Sequence, residues 1–160
     1  MKPSDITVCV MDRARHAGII DELRGIKASV ALIMDGDVQG VIATTDPETQ
    51  IDIYIGSGGA PEGVLAAAAL RCVGGQMQGR LKFRNDDEIA RARRVGIDQL
   101  DTKYDLDGLA AGPTIFSVTG VTQGSLLDGV KIRGSRVHTH TLIMNSVDGS
   151  IQRLRSDRPI

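Results

Sequence analysis

Gly56-Ser57-Gly58-Gly59-Ala60-Pro61-Glu62-Gly63 is the stretch on which the reading of this chain turns. Ile51-Asp52-Ile53-Tyr54-Ile55 precedes it, a short apolar alternation that predicts a strand. Val64 to Cys72 follows, with alanine at every position from Ala66 to Ala69, and predicts a buried helix. The glycines therefore fall on a strand-to-helix turn. There, bare backbone N–H groups can approach an anion and the helix N-terminus favours negative charge. Pro61 fits the first helical turn, where its missing N–H costs nothing. Glu62 lies in the same turn. From spacing alone, its plainest role is to complement the helix dipole.

Upstream, the pattern repeats. Ile6-Thr7-Val8-Cys9-Val10-Met11 predicts a strand buried on both faces, ending at Asp12-Arg13-Ala14-Arg15-His16. Ala17 to Arg24 has helical spacing, with Ile19, Ile20 and Leu23 on one face and Gly25 as its stop. Val30-Ala31-Leu32-Ile33-Met34 predicts a second buried strand, ending at Asp35-Gly36-Asp37. A short helix through Val38, Val41 and Ile42 follows, then a loop over Asp46 to Thr49. Strands alternating with helices predict βαβ units and a mainly parallel sheet.

Ligands of such sheets bind beyond the carboxyl ends of the strands. Three polar clusters occupy that position in turn: Arg13 with Arg15, Asp35 with Asp37, and the glycine turn with Glu62. Arginine presents a planar fork to phosphate, and carboxylates accept from sugar hydroxyls. The combination points to a phosphorylated, hydroxyl-rich molecule.

Downstream, residues 74–83 read as an extended segment. Asn85 starts a helix with acids in front and Arg91, Arg93 and Arg94 behind, a polarity expected of a solvated helix. Asp105 to Leu109 reads as a short helical turn. Strands are predicted over Ile115 to Thr119, Val130 to Arg133, Val137 to Met144 and Ile151 to Leu154, with Asp148-Gly149 as a hairpin turn. The last of these should add antiparallel strands to the sheet. His138 and His140 share one strand face; with no third ligand nearby, they read as partly exposed strand histidines before a metal pair.

Composition narrows the classes. The chain has 160 residues, a net charge of -1 and only 2% aromatics without Trp, which argues against nucleic-acid stacking platforms and aromatic cages. Cys9 and Cys72 fall in apolar runs and read as buried free thiols of a reducing compartment. No apolar run reaches membrane-spanning length, and a cytoplasmic location is expected.

Taken in order, Asp12 to His16, Asp35-Gly36-Asp37, Gly58 to Ala68, Gly75-Gln76-Met77-Gln78-Gly79-Arg80-Leu81 and Thr119-Gly120-Val121-Thr122 resemble the C-terminal half of class II fructose-1,6-bisphosphatases. These include the cyanobacterial type that also hydrolyses sedoheptulose-1,7-bisphosphate. The resemblance covers nearly the whole chain and places residues 1–160 as one α/β domain. It implies a layered α/β/α domain of the lithium-sensitive phosphatase superfamily. It implies part of a metal-dependent enzyme of gluconeogenesis or the Calvin cycle that removes the 1-phosphate of fructose-1,6-bisphosphate.

By motif match, Arg13 and Arg15 would hold phosphate. Asp35 and Asp37 would hold sugar hydroxyls, Ala14 and Gly36 between them would be substrate-binding positions, and Gly59 would contact substrate through its backbone. Glu62 would bind Mg²⁺ or Mn²⁺, against the dipole role that spacing alone puts first. The resemblance also implies a homo-oligomer. Family members are roughly twice this long, and the absent N-terminal half carries most metal carboxylates. The chain is thus expected to be a C-terminal half or a shortened homologue, with little activity alone. A non-catalytic sugar-phosphate-binding or regulatory module is the alternative. A dinucleotide-binding domain fits poorly, because Pro61 replaces the third glycine of G-x-G-x-x-G and the turn is not in the first βαβ unit.

Overall fold

The structure is a computed structural model describing residues 1–160. Its first half is a three-stranded parallel sheet, ordered β2-β1-β3, of β1 (Thr7–Met11), β2 (Ser29–Ile33) and β3 (Ile53–Tyr54). Helix α1 (Ala17–Gly25) joins β1 to β2, and α2 (Asp37–Ala43) precedes β3. Both crossovers are helical, as parallel neighbours require. The central strand β1 is buried on both faces, as its unbroken apolar run predicts. Strand β2 differs from expectation: it is an edge, and Leu32 is 42% exposed. Gly25 remains inside α1, and the chain turns at Lys27, whose φ is 66°.

Alternation sends the side chains of β1 to two layers. Val8 and Val10 pack with Ile20 and Leu23 of α1 and with Ala28. The opposite face is covered by α2 and α3 (Ala60–Val73), which share Val41, Ala66 and Leu70 with half-buried Tyr54. Ala67 and Ala69 are wholly buried, and these missing side chains let α3 lie close to its neighbours. Cys9 and Cys72 are buried free thiols, and burial pushes both thiols up from their ordinary pKa.

Beyond α3 an irregular segment, with one bridge between Gly79 and Tyr104, leads to α4 (Asp86–Arg94) and α5 (Leu106–Leu109). Asn85 and Asp105 cap these helices by accepting from Glu88 and Gly108 N–H. Strands β4 (Ile115–Thr119), β5 (Lys131–Arg133), β6 (Arg136–Asn145) and β7 (Ile151–Pro159) form an antiparallel sheet. The β6–β7 hairpin turns at Asp148-Gly149, as expected.

The expectation of one mainly parallel sheet needs correcting: these strands form a sheet of their own. The reason is α3. Ile42, Ala69 and Cys72 pack against Phe116, Leu142 and Met144, so α2 and α3 lie between the two sheets. The chain re-enters on the far side of α3 and cannot reach the parallel edge. The layers run α1, parallel sheet, α2 with α3, antiparallel sheet. His140 is also corrected. It is 8% exposed, and its Nδ1 accepts from Asp128 N–H at 3.1 Å.

Candidate functional site

The loops after β1, β2 and β3 meet beyond the carboxyl ends of the parallel sheet. After β1 the chain makes a tight turn over Ala14–His16. This turn brings Arg15, which stays exposed, to the glycine turn, where its Nε donates to Ser57 O at 2.8 Å. Both Nη groups of Arg15 stay free of protein partners, so its fork remains available to an anion. Arg13 is not brought in; its Nη1 donates to Asp12 O at 3.0 Å.

Asp35-Gly36-Asp37 starts α2. Gly36 has a φ of 82°, a left-handed conformation that suits glycine, and this kink separates the two carboxylates. Asp35 turns to solvent, with Oδ1 accepting from Gly36 N–H at 2.8 Å. Asp37 turns inward. Its Oδ2 lies 3.2 Å from where a Cβ on Gly58 would stand.

The glycine turn is extended backbone. None of Gly56, Gly58 and Gly59 has a positive φ, so no left-handed nest is formed. Bareness is what matters here. The Glu62 carboxylate folds back over Gly59, with Oε2 only 2.1 Å from the position of a Cβ there. Any side chain at residue 59 would evict Glu62. Pro61 and Glu62 sit in the first turn of α3, as expected.

A cavity of about 550 Å³ opens along this turn, lined among others by Asp37, Tyr54, Gly58, Gly59, Glu62 and Met77. Arg15 stands on the opposite side of the same backbone, in a second cavity that shares Ser57, Gly58 and Gly59. Of the residues singled out from sequence, Arg15, Asp37, Gly59 and Glu62 therefore converge. Arg13, Ala14, Asp35 and Gly36 line neither cavity.

Two further residues build the site. His16 is wholly buried. Its Nε2 accepts from Ser57 N–H at 2.9 Å, and its Nδ1 lies 2.9 Å from Met11 O. Those partners assign the proton to Nδ1, since an N–H needs an acceptor and a carbonyl needs a donor. The imidazole thereby ties the end of β1 to the glycine turn. Both ring nitrogens are used, which removes His16 as a metal ligand.

Tyr54 is the second. Residue 40 is glycine because a Cβ there would meet the Tyr54 ring at 3.0 Å and Ile33 Cδ1 at 2.8 Å, so α2 rests directly on that ring. The Tyr54 phenol is pushed up to about 12, by burial first, then by the Asp37 carboxylate and Cys9, against an opposing pull from Arg15. The only sequence signal for either residue was adjacency: His16 follows Arg15, and Tyr54 precedes the turn by two positions.

A measurable result follows for Tyr54. In a Tyr104→Phe background it is the sole tyrosine, and its phenolate absorbance should appear only near pH 12. Asp37→Asn should move that midpoint down, since a neighbouring negative charge is lost. The unfolded chain ionises its phenol from the ordinary value of 10.0, so this group should lower folding stability as pH rises from 10 towards 12. A midpoint unmoved by Asp37→Asn would separate Tyr54 from that carboxylate.

No group of three or more His, Cys, Asp or Glu side chains in this chain is placed to hold a metal ion. Glu62 supplies one carboxylate and Asp37 lines the same cavity, which falls short of an oxygen cage for a divalent cation. No helix is long and apolar enough to cross a membrane.

The family model described as bacterial fructose-1,6-bisphosphatase, glpX-encoded, matches residues 1–158. The chain is similar to D-fructose 1,6-bisphosphatase class 2/sedoheptulose 1,7-bisphosphatase of Prochlorococcus marinus. It is 38% identical to the proteins of strains MIT 9313 and MIT 9303 over 161 residues, covering 92% of this chain and 48% of each relative. Identity to the strain MIT 9301 protein is 38% over 160 residues. The chain thus spans about half the length of the curated relatives it matches, and the match falls in their C-terminal half.

Proposed function

Because the chain belongs to the family of bacterial, glpX-encoded fructose-1,6-bisphosphatases, we propose that it forms the substrate-binding part of a metal-dependent sugar-bisphosphate phosphatase. The reaction would be hydrolysis of the 1-phosphate of fructose-1,6-bisphosphate, with sedoheptulose-1,7-bisphosphate as a related substrate. The observation that carries this reading is the convergence of Arg15, Asp37 and Glu62 on Gly58 and Gly59. A cation with two free donors lies on one side of a bare backbone. Two carboxylates lie on the other, beside a cavity of about 550 Å³.

Each group has one task. Arg15 holds a phosphate with its Nη groups while Ser57 O fixes its Nε, so the fork arrives already oriented. Asp37 accepts from a sugar hydroxyl. Gly59 lets substrate lie against the main chain. Arg13, Ala14, Asp35 and Gly36, which line neither cavity, are further substrate contacts in this reading. His16 sets the position of Ser57 and hence of Arg15.

Glu62 contributes one ligand to a Mg²⁺ or Mn²⁺ ion whose remaining ligands come from the other half of the relatives' length. Such an ion supplies charge neutralisation and an activated water. This chain's own residues do not complete the cage. The same shortfall favours a second reading for the chain by itself, a sugar-phosphate-binding module without turnover. We further read residues 1–160 as one domain of the lithium-sensitive phosphatase superfamily, acting in the cytoplasm within a homo-oligomer.

Calorimetry tests the binding role. Arg15→Ala should weaken binding of fructose-1,6-bisphosphate by about 1.5–3 kcal/mol, the scale of a hydrogen bond to a charged group. Unchanged affinity in a folded variant, or no binding by the wild-type chain, would overturn the proposed site.

A further inference from the structure

The glycine turn has a second side. Ser57, Gly58 and Gly59 also line a cavity of about 660 Å³, together with the segment before α4 and α4 itself. Four cations face it: Arg15, Lys82, Arg84 and Arg91. Its one carboxylate is Glu88.

Glu88 is already engaged. Its Oε1 accepts from Arg84 Nε at 2.8 Å and Nη2 at 2.5 Å, and its Oε2 accepts from Arg84 N–H at 2.9 Å. The Arg84 guanidinium, followed by that backbone bond, holds the Glu88 carboxyl below its ordinary range. Arg84 and Glu88 are therefore a closed pair. The other three cations come from three different segments, and none has a carboxylate within 4.0 Å. Cations that line one cavity without counter-charges set up a positive potential there, which attracts an anion. The cavity's apolar lining is Leu81, Phe83, Ala92 and the exposed Val95. Apolar lining beside the cations strengthens their attraction for an anion and accepts a carbon skeleton.

We infer that this cavity is a second anion site, in which Lys82 and Arg91 grip a phosphomonoester on the side of the glycine turn opposite Asp37 and Glu62. The inference rests on the proposed function only for the choice of phosphate as the anion. Two sources share this chemistry: the far phosphate of a bisphosphate lying across the turn, and a separate phosphorylated metabolite. Lys82 is a flexible point charge and Arg91 a fork, so together they suit a dianion with several terminal oxygens.

The test is an amide-resonance titration of the isotope-labelled whole chain with inorganic phosphate at fixed ionic strength. Saturable shifts are expected at residues 82–84, 91–95 and 59–60. Lys82→Ala with Arg91→Ala should raise the dissociation constant about tenfold or more, the scale of one lost charge-assisted contact. Arg93→Ala with Arg94→Ala removes equal charge from the same helix, outside the cavity, and should change it less than about twofold, as for surface charges screened by salt. Equal losses in the two variants, or no saturable shift over 82–95, would overturn the site.

Titration with fructose-1,6-bisphosphate then separates the sources. One shared constant for Asp37, Gly58, Lys82 and Arg91 identifies the far phosphate of that molecule. A phosphate response at 82–95 that persists in bisphosphate-saturated protein identifies a separate ligand. A phosphate response there, with no bisphosphate response at Asp37 and Gly58, would sink the proposed function and leave this site standing; the converse would sink this site alone.

Discussion

His16→Leu should cost about 2–5 kcal/mol of folding stability and release the glycine turn from the parallel sheet. The side chain is wholly buried and serves two backbone groups, Met11 O and Ser57 N–H. Leucine keeps similar bulk, so the loss is one of hydrogen bonding and not of volume. Each buried polar group left without a partner costs about 1–3 kcal/mol. His16→Gln carries one donor and one acceptor and should recover part of the loss. Denaturant midpoints measure the stability term. Hydrogen exchange at the Ser57 amide measures the tether, and should accelerate most in His16→Leu. A leucine variant as stable as wild type, with Ser57 still protected, would show that the turn holds its shape without the imidazole. The consequence for function is direct, because Arg15 is anchored on the carbonyl of that same Ser57.

The elements were legible where local chemistry decides them. The unbroken apolar run of Thr7 to Met11 gave a strand covered on both sides, and Pro61 and Glu62 marked the start of α3. Asp148-Gly149 marked the last hairpin. Burial was less legible. Leu32 is as apolar as Val10, yet one lies on an edge strand and the other at the centre, and only sheet order distinguishes them.

The site shows the same division. The polar residues at the strand ends could be named from the sequence, but not which of each pair reaches the glycine turn. A tight turn over Ala14–His16 selects Arg15 over Arg13, and the left-handed Gly36 selects Asp37 over Asp35. His140 looked like a partly exposed strand histidine, because the loop over Leu127 and Asp128 that covers it is ten or more residues away in sequence. The second cavity was hidden for a similar reason. Arg91 shares a helix with Arg93 and Arg94, and a solvated helix and a cavity wall have the same composition.

Phosphate release from fructose-1,6-bisphosphate by this chain alone, with millimolar Mn²⁺ present, should stay at the uncatalysed background. Uncatalysed phosphate-monoester hydrolysis is among the slowest reactions that enzymes accelerate, and metal ions normally supply much of the enhancement. The limiting feature is the number of ligands. Glu62 is folded over Gly59 with Asp37 in the same cavity, and no third ligand joins them. A hard divalent cation takes six or more oxygens, and Mg²⁺ sheds its waters reluctantly, so one protein carboxylate holds it weakly. Substrate recognition needs no such cage. The Arg15 fork and the bare backbone are in place, so binding should survive where turnover does not. Adding a polypeptide that supplies the other half of the relatives' length should restore release. In that assembly Glu62→Gln should lower the rate more than about a hundredfold, since even outer partners of metal ligands cost 10–100-fold. Two results would overturn this account. If Glu62→Gln left the restored rate unchanged, Glu62 would return to its helix-dipole role. If the chain alone turned over at an ordinary enzymatic rate and lost it on Glu62→Gln, a cage would have to form within these residues. Asp12, Asp35 and Asp37 would then be its candidates, because both nitrogens of His16 are already committed.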